Sequence, residues 1–271
     1  MKNQHSNRVS VVIPVFNQVH LTQRCLESLF KNSTRVQQIT VINNGSKDKT
    51  IEALEDFRSQ AHEKEIEFDA IHNAENLGFG RACNQGIRKS TGDYVMILNN
   101  DTWLMPAWDH VLLQAHQELR LDCVGPYFYE GPFDETEIET RAKNFIVKNA
   151  KSTRHHFVPI LMSFTRKAID ELKLDHGGIF DERFFVTYED TDLKERMERQ
   201  SLSYAQTGAC FIWHHSMGTR NAKGMLPVGY EQEGLEHFIK KWGFDPRTRD
   251  HTLVARLRRR LWKIKEKFGR F

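Results

Sequence analysis

Three oxygen-bearing side chains close an apolar run. In YVMILNNDTWLMP (94–106), Tyr94–Leu98 leads straight into Asn99, Asn100 and Asp101. The plain structural reading is an Asx-rich turn before a helix with Pro106 in its first turn. The chemical reading is that Asp101 offers a hard oxygen to a divalent cation, while the two amides position a ribose or a water. Mg²⁺ is commonly held by one or two carboxylates plus substrate phosphates, and Mn²⁺ accepts similar ligands. One carboxylate at a strand end is then half a site, and the ligand must bring a diphosphate.

Three other stretches could extend that site. YAQTGACFIWHH (204–215) ends in His214 and His215. Strand alternation sends them to opposite faces, one toward a site and the other to packing or solvent. YEDTDL brings Glu189, Asp190 and Asp192 to the start of a helix, where acids complement the helix dipole and need no further purpose. Their neighbours Phe180, Phe184, Phe185 and Tyr188 argue for more. A carboxylate in an apolar surround is disfavoured as an anion, which raises its pKa toward the range of a general base. NAENLGFGRACNQGI (73–87) contains a GxG followed by Arg81, which either meets a diphosphate or faces solvent at a helix start. Neither a dinucleotide fingerprint nor a P-loop is present.

The elements that must hold these groups are legible from periodicity. Strands are predicted at 10–16, 38–43, 68–72 and 94–98, alternating with helices at 21–32, 49–61 and 81–89. That rhythm builds βαβ units and a mostly parallel sheet, and such sheets bind ligands beyond the strands' carboxyl ends. All four strands end in polar clusters: Asn17, NNGSKD (43–48), NAENLGFG (73–80) and NND (99–101). Past Leu121 the rhythm changes. CVGPYFY reads as a strand, 130–154 as a charged irregular loop, 155–165 as a strand, 166–172 as a short helix and 190–200 as a charged helix. The expected division is a nucleotide-binding half (1–128), an acceptor and catalytic half (129–229) and a basic helical extension (230–271).

Composition narrows the class. Of 271 residues, 39% are hydrophobic and 11% aromatic, enough for a real core and against global disorder. VSVVIPVF is too short for a leader or a span and reads as a first strand. Cys25, Cys83, Cys123 and Cys210 form no CxxC pair, so neither a disulfide framework nor a structural zinc is expected, and the cytoplasm is the natural compartment. The net charge is +3, yet the residues from Arg256 onward carry eight basic side chains and one acidic. Leu253, Leu257, Leu261, Ile264 and Phe268 recur at helical spacing among them, with Trp262 at the edge. Two readings stay open: packing on the body, or docking on an anionic membrane surface at about 1 kcal/mol per basic residue. No nucleic-acid partner is expected from an acidic body without a recognised motif.

VSVVIPVFN, VINNGSKDKT, NAENLGFGRACNQGI, GDYVMILNND, YEDTDL and WHH together, in this order, resemble glycosyltransferase family 2 from about Val9 to His215, nearest its rhamnosyltransferase-like branch. The resemblance implies α/β architecture of the GT-A kind, a Rossmann-like mostly parallel sheet flanked by helices, here with a C-terminal helical extension. It also implies inverting transfer of a sugar from a nucleotide-diphosphate donor to a glycan or lipid-linked acceptor, with Mn²⁺ or Mg²⁺ as cofactor. Residues 14–16 and Asn17 match the loop flanking base and ribose, so Pro14 and Phe16 join the donor set. Asn76, Gly78, Arg81 and Asn100 join it as well. Asn43 stands where the family usually has an Asp that meets the base, and Asn99 replaces the first Asp of its DxD. Asp101 and His214 match metal positions. Asp190 matches the catalytic base, with Glu189 as the alternative. The two Asp-to-Asn departures keep a non-catalytic sugar-nucleotide binder in play. A sugar-phosphate nucleotidyltransferase lacks its Gly-rich basic signature here.

Overall fold

The computed structural model describes residues 7–216 and 228–248. The first half is built around β1 (Val9–Val15), buried along its whole length. It runs parallel to β2 (Val36–Asn43) on one side and to β4 (Tyr94–Leu98) on the other, and β3 (Glu67–His72) continues the parallel set beyond β2. Val9, Val11, Ile13 and Val15 enter one core cluster and Val12 the other, as the two-residue strand period requires. Pro14 is tolerated because the ladder to β4 ends at Val12, leaving β2 as the sole strand neighbour beyond it.

Helices cover both faces. α1 (Val19–Asn32), α2 (Thr50–Glu63) and α4 (Trp108–Leu119) place Leu26, Leu29, Leu54, Phe57 and Leu112 in the first cluster. α3 (Phe79–Lys89), α6 (Arg166–Leu172) and α7 (Glu189–Arg199) place Ile87, Ile169 and Leu193 in the second.

The sheet order is β3-β2-β1-β4-β8-β6-β9-β5. β8 (Leu161–Thr165) lies antiparallel between β4 and β6 (Cys123–Glu130). β9 (Tyr204–His214) is parallel to β6 but antiparallel to β5 (Thr102–Leu104) and to the short β7 (Thr153–Arg154). The sheet is therefore parallel through β4 and mixed beyond it. A bulge between Pro126 and Tyr127 lets β6 skip along β9, so that Glu130 comes opposite His214.

Two sequence expectations give way. Most of the supposed irregular loop at 130–154 is helix α5 (Glu135–Asn149), opened by Asp134, whose carboxylate accepts the Glu137 N–H at 2.8 Å. Its high charge hid an apolar stripe, Ile138, Ala142, Phe145 and Ile146, which packs with Trp103, Phe211 and Trp213 as a third cluster. The predicted strand at 155–165 is a strand only from Leu161, where pairing with β4 begins. The first part of the C-terminal extension is α8 (Tyr230–Trp242), packed by Leu235 and Phe238. Residues 253–271, with their basic amphipathic pattern, lie outside the described residues. Among the described residues no helix is long and apolar enough to cross a membrane.

Candidate functional site

The strand ends converge on one cavity of about 320 Å³. Pro14, Val15 and Phe16 line it from β1, Asn44 from β2, and Asn99, Asn100 and Asp101 from β4. Asn76 and Phe79 come from the turn into α3, Val186, Glu189 and Asp190 from the entry to α7, and His214 and Ser216 from the end of β9. Pro159 and Ile160 close the wall ahead of β8.

Four sequence candidates lie outside the lining. Asn17, at a left-handed φ of 54°, ties the β1 loop to the β2 loop: its N–H donates to Ser46 Oγ at 2.7 Å and its Oδ1 accepts the Lys47 N–H at 2.8 Å. Asn43 is buried, its Oδ1 accepting the Ser46 N–H at 3.0 Å and its Nδ2 lying 3.2 Å from His72 Nδ1. The neighbouring Asn44 reaches the wall instead. Its Oδ1 accepts from Asn73 Nδ2 and the Leu77 N–H, and its Nδ2 donates to Asn76 Oδ1 and the Gly78 carbonyl. Strand parity could have found it, since Asn44 continues the side of Ile42, which faces the α3–α7 layer.

Gly78 shapes the turn without lining the cavity. Its φ of +88° is left-handed, and a Cβ there would strike the Phe185 carbonyl. Arg81 is turned away. Its Nε donates to the Glu182 carbonyl at 3.1 Å, with the Glu182 carboxylate at 3.7 Å. The cause is helical geometry: Arg81 follows Phe79, which faces the cavity, by two positions, roughly 200° around the helix.

The acidic turn and the late strand meet here. Asp101 Oδ1 lies 3.3 Å from His214 Nε2, and Glu130 Oε1 lies 2.8 Å from His214 Nδ1. Burial pulls the His214 pKa down, but the two carboxylates, Asp101 first, outweigh it, and the net shift is upward. His215 is exposed, and its N–H donates to the Asp101 carbonyl at 2.8 Å, so the expected opposition of the two histidines is found. Asn100 Nδ2 donates to Thr22 Oγ1 at 2.8 Å, while Asn99 Oδ1 is buried with no hydrogen-bond partner among the described residues. An unpaired buried acceptor in a cavity wall is open to a hydrogen-bond donor from water or a ligand.

Opposite stands the α7 entry. Tyr188 takes a left-handed φ of 67°, which swings Glu189 and Asp190 into the first helical turn at the wall. Asp190 Oδ1 accepts the Thr191 N–H at 2.7 Å. The four aromatics expected around these acids do not line the cavity. Phe180 packs edge-on to Phe79, Phe184 to His237, and Tyr188 tilts against Phe238. They fasten the loop that carries the carboxylates and leave Asp190 partly open.

The donor set fits a divalent ion. Adjacent ligands of an octahedral ion at about 2.1 Å lie about 3.0 Å apart, close to the 3.3 Å between Asp101 Oδ1 and His214 Nε2. Among the described residues no three His, Cys, Asp or Glu side chains form a metal cage. Such an ion would keep room for oxygens from a ligand.

Strand ends of one sheet thus bring Asn, Asp and His side chains to a cavity faced by two acids on a helix entry. The Glycosyl transferase family 2 profile matches residues 10–173, and the chain belongs to that family. It is 28% identical over 126 residues to the uncharacterised glycosyltransferase EpsJ of Bacillus subtilis strain 168, covering 46% of this chain and 35% of that one. Over 101 residues it is 30% identical to the poly-β-1,6-N-acetyl-D-glucosamine synthase of Staphylococcus epidermidis strain RP62A, covering 37% and 23%. The matched segments thus span a minor part of both relatives. Among solved structures, GalNAc-T7 with UDP, GalNAc and Mn²⁺ superposes with a TM-score of 0.61 at 14% identity, over 79% of this chain and 44% of that one. At that identity the likeness concerns the fold, which is GT-A.

Proposed function

We propose that this chain is an inverting, metal-dependent glycosyltransferase. It would move a sugar from a UDP- or dTDP-linked donor to a hydroxyl of a glycan or lipid-linked acceptor in cell-surface polysaccharide or lipopolysaccharide synthesis. One observation carries the reading: Asp101 and His214 present a carboxylate and an imidazole to the same cavity that Glu189 and Asp190 enter from the facing helix. The polysaccharide context is supported by the synthase among the relatives, and the metal by the Mn²⁺ of GalNAc-T7.

In this reading Asp101 and His214 hold the ion. Its mixed oxygen and nitrogen donors suit Mn²⁺ better than the oxygen-seeking Mg²⁺. When bound, the ion supplies positive charge to the departing diphosphate. Phe16, Asn44 and Asn76 form the nucleotide wall, and the orphaned Asn99 Oδ1 accepts from a ribose hydroxyl. Asp190, the more open of the two acids, takes the proton of the acceptor hydroxyl as its oxygen attacks the anomeric carbon. The nucleotide leaves from the opposite face, so configuration inverts. Glu189, buried beside it, shapes the pocket. The non-catalytic alternative rested on Asn43 and Asn99. Asn43 serves the β2 turn, which leaves Asn99 as the departure within the cavity lining.

The test is the melting temperature with UDP, dTDP, GDP and CDP, each with and without Mn²⁺ or Mg²⁺. A ligand at about 100 times its Kd adds about 2.7 kcal/mol, and a Mn²⁺-dependent shift with a pyrimidine diphosphate is expected. Asp190→Asn should keep that shift and lose transfer. A shift indifferent to metal, or none with any nucleotide, would sink the proposal.

A further inference from the structure

Both ring nitrogens of His214 face carboxylates: Nδ1 is 2.8 Å from Glu130 Oε1 and Nε2 is 3.3 Å from Asp101 Oδ1. A neutral imidazole has one N–H and one lone pair, so it can satisfy one carboxylate alone. The second contact becomes attractive when a second ring proton or a bound cation lies in it. The geometry divides the two roles. The Glu130 contact is the shorter and lies outside the cavity lining, whereas the Asp101 contact is longer and both its partners line the cavity.

The backbone fixes this arrangement. The β6–β9 register sets Glu130 opposite His214, and β5 sets Thr102 opposite His214 from the other side. Just past Glu130 the chain is held by Trp213 Nε1, which donates to the Gly131 carbonyl at 2.9 Å. Phe128 meets the His214 ring edge-on at 6.3 Å between centroids. Glu130 itself is half-exposed and is not part of the cavity lining among the described residues.

We infer that Glu130 is a positioning residue: it takes the Nδ1–H of His214 and thereby turns the Nε2 lone pair toward a cation shared with Asp101. Carboxylate partners of this kind typically carry 10- to 100-fold of metal affinity. The inference rests on the metal-dependent reading above and extends it to a residue that never enters the site.

The test is Mn²⁺ titration of the full chain, followed by the electron paramagnetic resonance of free Mn²⁺, with UDP present. Wild type is compared with Glu130→Ala, Glu130→Gln and His214→Ala. The same variants are compared by the long-range ¹H–¹⁵N spectrum of the histidine ring with diamagnetic Mg²⁺ and UDP. Glu130→Ala should weaken Mn²⁺ binding about 10- to 100-fold and Glu130→Gln less, since its amide oxygen still accepts. The wild-type ring should show Nδ1–H, and Glu130→Ala should lose that preference. Wild-type Mn²⁺ affinity and an unchanged ring spectrum in Glu130→Ala overturn the inference alone. Failure of wild type to bind Mn²⁺ overturns the metal-dependent reading and the inference with it.

Discussion

Asn84 offers the sharpest stability test. It is buried on α3, and its side chain grips the chain about a hundred residues later. Oδ1 accepts the N–H groups of Ile179 and Phe180, each at 3.0 Å, while Nδ2 donates to the Phe180 carbonyl at 2.9 Å and to Glu182 Oε1 at 3.1 Å. Asn84→Ala therefore leaves three buried main-chain groups without partners. At about 1–3 kcal/mol for each, the cost is about 3–9 kcal/mol if nothing moves. Against a total stability of about 5–15 kcal/mol, the chain should escape part of that cost by loosening the loop that leads to Glu189 and Asp190. Urea unfolding should then show a loss of at least about 3 kcal/mol, with amide exchange at 179–185 accelerated beyond the global change. Asn84→Asp is the discriminating companion. It keeps both N–H acceptances and loses one donor bond to a carbonyl, but faces Glu182 with a second carboxylate. Its cost should fall clearly below that of Ala. If Asn84→Ala stays within about 1 kcal/mol of wild type, or Asp proves worse than Ala, the latch argument is wrong.

Two further outcomes follow from buried polar groups. His116 donates from Nδ1 to the Leu121 carbonyl at 2.8 Å and accepts from Ser163 Oγ at 2.9 Å. Burial pushes its pKa down to about 4, against the two hydrogen bonds. The unfolded chain, near 6.5, binds the proton first, so the His116 contribution is complete above pH 6.5, declines as pH falls, and is gone below about 4. The span is about 3 kcal/mol, read as the difference in pH-dependent stability between wild type and His116→Gln; parallel curves would refute it. Asp192, fully buried, accepts from Arg196 Nε at 3.0 Å and Trp242 Nε1 at 2.9 Å and pairs with the Lys241 ammonium at 2.6 Å. Asp192→Asn breaks a buried charge cluster and should cost about 3–5 kcal/mol, with α8 exchanging first. Unchanged protection of α8 would show that Asp192 does not hold it.

Much of the cavity was legible because strand ends announce themselves. Apolar runs that stop at Asn or Asp give both the element and the edge, and four of them in parallel order predict where Pro14, Phe16, Asn99, Asn100 and Asp101 must gather. Strand parity separated His214 from His215 for the same reason. Helix α5 was missed because exposed charges mask an apolar stripe whose partners, Trp103, Phe211 and Trp213, come from strands far away in sequence. Glu130 was invisible because its meeting with His214 depends on the β6 bulge, and nothing in the local sequence fixes how far one strand slips along another.

The stretch 73–87 shows most clearly what separates a motif from its role. Its Gly, Asn and Arg spacing looks like a phosphate cradle, yet its Arg81 and Asn84 side chains face the other half of the chain. The Phe79 N–H meets the Phe185 carbonyl at 2.9 Å, Arg81 meets Glu182, and Asn84 meets residues 179, 180 and 182. A Cβ on Gly80 would press on Phe180. On its other side the same stretch presents Asn76 and Phe79 to the cavity, with Asn76 bonded to Asn44 at 2.8 Å. One helix entry thus touches the cavity wall and the loop bearing both acids. Small residues are needed there because two backbones pass closely, and an amide is needed at Asn84 because it must both donate and accept. The placement of Asn76 and Phe79 relative to the loop bearing Asp190 is accordingly set by these direct contacts and not by two separate halves.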